Sequence, residues 1–238
     1  MEFRRLRLLG CLFLLMAMTS SAQAGSPPVT VDDGDVPEKG EHEYNFIGTT
    51  ELGAEGQRYE GLADLNWGAE VKGVPIQLKV EMPVTLTSEY GGGPSGEVGG
   101  IEAGLKVVAL NIETRPIGLS FYPQVKLPRF TGGEENTTSV ILLAILGREI
   151  SNWRIDADGA FVFNKYGYGA NYGISLMWEA TSKWSFLTSW SSDDGQKAIE
   201  LGAIMSKSPK LNFLFDIGYL YGTDDPEQVR VAFGVQLM

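Results

Sequence analysis

Few side chains in this sequence are of types that do chemistry, and their placement works against most reactions. The 238 residues include one histidine, His42, and one cysteine, Cys11. A serine-dependent hydrolase or acyl transferase needs a base beside its nucleophile, usually histidine. His42 stands alone at the entrance of the first alternating segment, so it reads as an exposed or turn-lining residue. No cysteine–histidine cluster has zinc spacing, and no Walker-type or dinucleotide glycine motif occurs. The reading is therefore no catalytic residue, no metal and no cofactor. Asp193-Asp194 and Asp224-Asp225 offer hard oxygens of the kind calcium takes, or that bridge lipopolysaccharide through cations. In their glycine-rich surroundings they read as solvated loop charge. Asn136-Thr137-Thr138 matches a glycosylation acceptor and reads as loop.

The informative polar residues share one face of alternating segments. Ile76, Leu78, Val80, Met82, Val84 and Leu86 alternate with Gln77, Lys79, Glu81, Pro83, Thr85 and Thr87. A period of two sets one group on each face of a strand. Val229, Val231, Phe233, Val235 and Leu237 repeat the pattern at the end of the chain. Segments of this kind predict twelve strands, near 41–52, 57–68, 75–88, 99–112, 117–130, 138–148, 153–164, 170–180, 184–191, 197–206, 211–222 and 228–238. Residues 138–148 are apolar on both faces from Val140 to Leu146, which leaves a helix or a buried strand open there. Connectors after even-numbered strands are tight turns, and those after odd-numbered strands are mostly longer, acidic and glycine-rich. An even strand count with short turns at one end and longer loops at the other is the plan of an outer-membrane barrel, with both termini periplasmic.

Composition agrees. Thirty glycines and 11% aromatics suit an all-β chain, and 43% hydrophobic with 21% charged residues is too ordinary for a disordered one. The net charge of −11 argues against nucleic acid as a partner. Residues 1–24 read as a signal peptide: Arg4, Arg5 and Arg7 are basic, Leu8–Met18 is apolar, and Ala22-Gln23-Ala24 is a cleavage site. Export would remove Cys11 and leave a domain with no disulfide. Residues 25–40, with three prolines and several acids, read as a solvated periplasmic arm, and 41–238 as the barrel.

Alternation alone does not say which face is outside. Trp67, Trp153, Trp178 and Trp184 flank the short turns, Trp190 lies at the other end of its strand, and all belong to the apolar set. That suits aromatic girdles at two membrane interfaces. The lumen of about twelve strands is also too wide for one apolar layer to fill. The fold expected is therefore a transmembrane antiparallel up-and-down β-barrel, apolar face outward. The inward, lumen-lining set then holds Arg58, Lys79, Lys106, Lys126, Arg154 and Arg230 with Glu60, Asp64, Glu81, Glu102, Asp156, Asp158, Glu179, Glu200 and Asp216. These either pair into a network that closes the barrel or line a water-filled path whose excess of acids favours cations.

Several motifs resemble one family. Gly40-Glu41-His42-Glu43-Tyr44-Asn45-Phe46, Ala63-Asp64-Leu65-Asn66-Trp67-Gly68 and Gln77-Leu78-Lys79-Val80-Glu81-Met82-Pro83 are similar to strands of the bacterial outer-membrane family named for the MetA pathway of phenol degradation. Gly104-Leu105-Lys106, Phe121 to Pro128 and Tyr172-Gly173-Ile174 extend the resemblance over residues 40–238. It implies an outer-membrane, transporter-like barrel, in some cases associated with aromatic catabolism, and it brings no site residues. The partners expected are outer-membrane lipid and lipopolysaccharide, the barrel-insertion machinery, and small solutes. Two functions remain open: a passive channel for small solutes, aromatic ones among them, and a non-conducting envelope barrel acting through its structure or loops.

Overall fold

The computed structural model describes residues 35–54, 56–89, 95–112, 114–128, 130, 137–193, 196–222 and 227–238. The signal-peptide reading, the arm before Asp35, Asn136, Asp194 and Asp224-Asp225 lie outside them. In chain order the strands are β1 (His42–Gly53), β2 (Gly56–Val71), β3 (Val74–Glu89), β4 (Ser95–Val98), β5 (Glu102–Leu110), β6 (Gly118–Lys126) and β7 (Ser139–Ile150). They continue as β8 (Trp153–Asn164), β9 (Gly167–Thr181), β10 (Trp184–Asp193), β11 (Gln196–Ser208), β12 (Leu211–Tyr221) and β13 (Gln228–Leu237). Each pairs antiparallel with its neighbour, and β1 pairs with β13 from Tyr44↔Leu237 to Gly53↔Gln228. The sheet therefore closes and leaves no edge between its first and last strands.

β4 and β5 together make one stave, so the barrel has twelve. Both pair with β3, through Val84↔Val98 above the break and Glu81↔Glu102 below it. The strand expected at 99–112 thus begins only at Glu102, and Ser95–Val98, before the interruption at Gly99-Gly100-Ile101, form a short strand outside the expected bounds. The reason is steric: a Cβ on Gly100 would stand 1.7 Å from the carbonyl oxygen of Leu127, and one on Gly99 2.5 Å from Pro83. The next seam is interrupted too, with Gly104↔Gln124 and Val107↔Phe121 paired but nothing between. Pro123 lies opposite that gap and brings no N–H to a ladder.

The doubly apolar segment is strand β7. Its outward residues, such as Leu142 and Leu146, are about half exposed, while Leu143 and Ile145 turn inward and pack with Tyr122 and Ala160. Both faces are apolar because one meets the surroundings and the other a small core inside the lumen. Elsewhere the alternation reads out as expected: Leu78, Leu86, Ile155, Ile217 and Phe233 are exposed outside, and Asp64, Lys106, Arg154 and Glu200 are buried inside. Aromatic rings cluster toward both ends of the wall. Trp153 stacks on Trp178 at 5.7 Å near the turns, and Tyr172 meets Trp190 at 5.6 Å toward the loops.

Short turns set the register of these hairpins. Lys72 and Gly73 have φ of 53° and 81°, the pair of left-handed residues that a two-residue turn needs to match the twist of β2 and β3. With register fixed this way, labels on β3 should separate cleanly. Single cysteines at Leu78 and Val80 should be quenched by lipid-restricted relaxation agents, and cysteines at Lys79 and Glu81 by neither these nor bulky aqueous ones. A reversed pattern would mean a one-residue slip, which flips every side chain.

Candidate functional site

The interior is filled near the turns, whereas toward the loops it sets exposed groups such as Arg58 and Lys126 beside buried ones such as Glu200 and Asp216. In the filled half, Glu43, Asn45, Asp64 and Asn66 are at most 1% exposed. The side-chain amide of Asn45 donates to Glu43 Oε1 at 2.5 Å and to Asp64 Oδ2 at 3.0 Å, and that of Asn66 donates to the same two oxygens at 3.0 and 3.1 Å. Gln77 completes the belt by donating to Asn66 Oδ1. Lys79 joins from β3, 2.5 Å from Glu81 and 3.8 Å from Asp64. A buried carboxylate is tolerated only with such donors around it.

Tyr122 stands in the middle of this half at 1% exposure, with the ammonium groups of Lys79 and Lys106 at 5.8 and 5.5 Å from its ring centre. That geometry suits cation–π attraction in a desolvated site. Gly104 makes room for the ring, since a Cβ there would stand 2.3 Å from Tyr122 Cε2. Two strands along the wall, on β8, Arg154 grips Asp156 through two nitrogens, Nε at 2.6 Å and Nη2 at 3.1 Å. This is the forked pairing that holds a guanidinium in one orientation.

The third nitrogen of Arg154, Nη1, points at a residue from outside the barrel wall. It donates to Asp35 Oδ2, while Lys106 Nζ donates to the Asp35 backbone carbonyl at 3.2 Å. The segment Asp35–Gly40, expected as solvated arm, instead folds in at the turn end, where Pro37 is fully buried. Gly40 N donates to Gly68 O, and Gly68 N to Glu41 O, each at 2.9 Å. Gly68 is required for this approach, because a Cβ there would stand 2.1 Å from the Glu38 carbonyl oxygen and 2.3 Å from that of Pro37. A cavity of about 450 Å³ separates the segment from β5 and β6, with Val108, Ile112, Ser120 and Arg154 on its far side.

Toward the loops the interior charges form smaller groups. Arg58 reaches Glu60 at 2.7 Å and Glu51 at 3.4 Å, and its side chain is 45% exposed. Lys126, half exposed, lies 3.9 Å from Glu102. Arg230 pairs with Glu200, whose second oxygen accepts from Ser189 at 2.8 Å. Gly218 lies beneath this pair, where a Cβ would stand 3.2 Å from Glu200 Cγ. Asp158 faces inward between the two halves, opposite Ile145. Asp216 is 4% exposed, and neither carboxylate oxygen has a hydrogen-bond partner among the described residues. Glu179 is exposed at the turn-end rim, apart from the rest.

Of the residues that alternation marks as inward, the structure buries Asp64, Lys79, Lys106, Arg154, Asp156, Glu200 and Asp216, and alternation says nothing of their grouping. It misses Asp35, Glu43, Asn45, Asn66, Gln77 and Tyr122. The amides carried a signal, since Asn45, Asn66 and Gln77 hold the inward phase of their strands. Asp35 carried none, because it precedes any period. His42 is exposed at the start of β1, opposite Trp67.

No family model matches the chain, and no curated protein matches it. Solved structures do. An outer membrane channel from Pseudomonas putida F1 superposes with a TM-score of 0.70 at 12% identity, over 88% of this chain and 99% of that one. The fold is that of an outer-membrane β-barrel. The KdgM porin solved with disordered oligogalacturonate gives 0.56 at 9% identity, covering 82% of this chain and 98% of that one. Outer membrane phospholipase A from Escherichia coli gives 0.57 at 14%, covering 91% and 95%. Channels, porins and an enzyme share this architecture, so function must be argued from the interior of the barrel.

Proposed function

We propose that the chain is an outer-membrane channel for small solutes whose turn-end mouth is stopped by its own Asp35–Gly40 segment. The observation that carries this is the nature of the stopper. It is not a strand of the barrel but a short stretch of chain held by an ion pair, a lysine contact and the backbone hydrogen bonds of Gly68. Each such bond contributes a net ~1 kcal/mol, so an arrangement of this kind can open without unfolding the wall. The loop-end interior, with Arg58 and Lys126 half exposed, is already wet enough to admit polar solutes. With the signal-peptide reading, the termini lie in the periplasm and the loops face lipopolysaccharide, after delivery by the barrel-insertion machinery. Small aromatic solutes are the class implied by the resemblance to the phenol-degradation family. With His42 exposed and alone of its kind, the reading is not an enzyme.

The fully buried Asn45–Asp64–Asn66 belt favours a second reading, a non-conducting barrel in which packed polar groups seal the lumen. Conductance separates the two. Refolded protein in a planar bilayer should pass small, intermittent currents with cation preference, because acids outnumber bases among the inward charges. That preference should weaken as salt rises and the screening length falls to about 3 Å at 1 M. Swelling of liposomes in benzoate-like and sugar solutes would then rank the solutes. Inserted protein that stays silent, with and without the segment before Glu41, would leave only the sealed barrel.

A further inference from the structure

We propose that the outer wall at the turn end binds an anionic phospholipid, with Arg148 on its phosphate, Lys183 and Lys207 adding charge, and its chains on the aromatic row between them. Trp153 of β8 stacks on Trp178 of β9 at 5.7 Å, Trp178 meets Phe186 of β10 at 6.1 Å, and Phe186 stacks on Trp184 at 6.2 Å. The four residues are between 38% and 44% exposed, so the row is a surface and not a core. Cations flank it. Arg148 holds the outward phase of β7, two residues from the end of the strand, and its register partner Ile155 sets it diagonally across from Trp153. Diagonal neighbours are about 7–8 Å apart, within reach of a long side chain. Lys183 precedes Trp184 in the turn, and Lys207 lies two residues past Met205, the partner of Trp184 on β11. All three cations are exposed.

The donors on this surface are unspent. Among the described residues the side chains of Arg148 and Lys183 make no hydrogen bond or ion pair, and the indole N–H groups of Trp153, Trp178 and Trp184 have no acceptor. Toward the loops, by contrast, Trp190 Nε1 donates to Tyr221 OH at 3.3 Å. A guanidinium and an indole donate and never accept, so phosphate and ester oxygens are the matching groups. The charge is of one sign. Among the described residues the outward strand positions hold no acid, and Glu149, next to Arg148, turns inward to 3.8 Å from Arg154. A zwitterionic headgroup brings an ammonium of its own into this field, whereas a headgroup of net negative charge does not. The inference rests on the proposed reading only for its leaflet, since turns in the periplasm meet phospholipid and loops at the far side meet lipopolysaccharide.

Bromine on an acyl chain quenches tryptophan on contact, so the row reports its own lipid. The full chain carrying Trp67→Phe and Trp190→Phe keeps tryptophan only at Trp153, Trp178 and Trp184. In phosphatidylcholine bilayers this parent should take brominated phosphatidylglycerol over brominated phosphatidylcholine by roughly threefold or more, as a few basic groups beside an anionic headgroup supply. Arg148→Gln with Lys183→Gln should abolish the preference. Lys165→Gln with Lys197→Gln removes the same charge at the loop end, where Lys165 lies 4.7 Å over the ring of Tyr166, and should leave the preference intact. No preference in the parent, or an equal fall in both double variants, would overturn the site. So would unlabelled lipid A displacing the brominated lipid better than unlabelled phosphatidylglycerol, which would assign the surface to the lipopolysaccharide leaflet. A gel shift on boiling, retained by every variant, shows that the barrel is folded in each. Protein that keeps the preference yet passes no current would lose the channel reading and keep the lipid site.

Discussion

Gly68→Val should release the Asp35–Gly40 segment from the barrel and convert brief, small currents into a sustained open level. The argument is steric and local. A Cβ at residue 68 would stand 2.1 and 2.3 Å from two consecutive backbone carbonyl oxygens, a separation no side-chain rotation relieves. Overpacking of that kind costs about 1–3 kcal/mol even where neighbours can give way. Opposing it are an ion pair, the Lys106 contact and the two backbone bonds of Gly68, each a net ~1 kcal/mol. Every 1.4 kcal/mol is a factor of ten, so open occupancy should rise by roughly ten- to a hundredfold. The wall should survive, because residue 68 faces the segment and its pairing with Gln77 on β3 uses backbone alone. Gly73→Ala is the comparison. It strains a positive-φ turn residue, with φ of 81°, but meets no atom within 4 Å. It should lower stability and leave the currents as they were. Unchanged currents in Gly68→Val, with the gel shift on boiling intact, would mean that the segment is not the stopper.

The reach of the sequence in this protein follows from which interactions are periodic. Alternation of side chains along a strand is a local property, so the twelve staves, their inward faces and the girdle tryptophans are legible residue by residue. The exceptions have identifiable causes. The stave of β4 and β5 breaks because Gly100 lies against Leu127, a contact between residues far apart in sequence. Residues 140–146 defeat the period because the lumen has an apolar patch of its own, built around Tyr122 from another strand. Grouping of the charges is legible least of all. Lys79, Asp64 and Asn45 come together only once the register of β1, β2 and β3 is fixed. The segment Asp35–Gly40 is the extreme case. Its composition is that of solvated chain, and only its position against Gly68, Lys106 and Arg154 gives it a role.

Arg230→Gln should destabilise the barrel by about 3–5 kcal/mol, and Glu200→Gln added to it should restore most of the loss. Glu200 is wholly buried, and it sits on β11 across Gly218 of β12 from Arg230 of β13, so one ion pair ties three strands. Ser189 donates to one oxygen of Glu200 at 2.8 Å, but a hydroxyl does not replace a guanidinium as counter-charge. Truncating Arg230 therefore strands a carboxylate in a dry place, whereas truncating both partners removes the charge along with its counter-ion. Asp216 sharpens the contrast, since it lies one inward position from Gly218 and has no hydrogen-bond partner among the described residues. With Arg230 gone, this wall would hold two buried acids, Glu200 and Asp216. The loss should appear as a lower boiling midpoint for the gel shift and a lower urea midpoint for unfolding, each recovered in the double variant. Equal destabilisation in the single and double variants would show that the pair acts through packing alone. A single variant as stable as the parent would show that water already reaches Glu200, and would count against a dry wall at that level of the barrel.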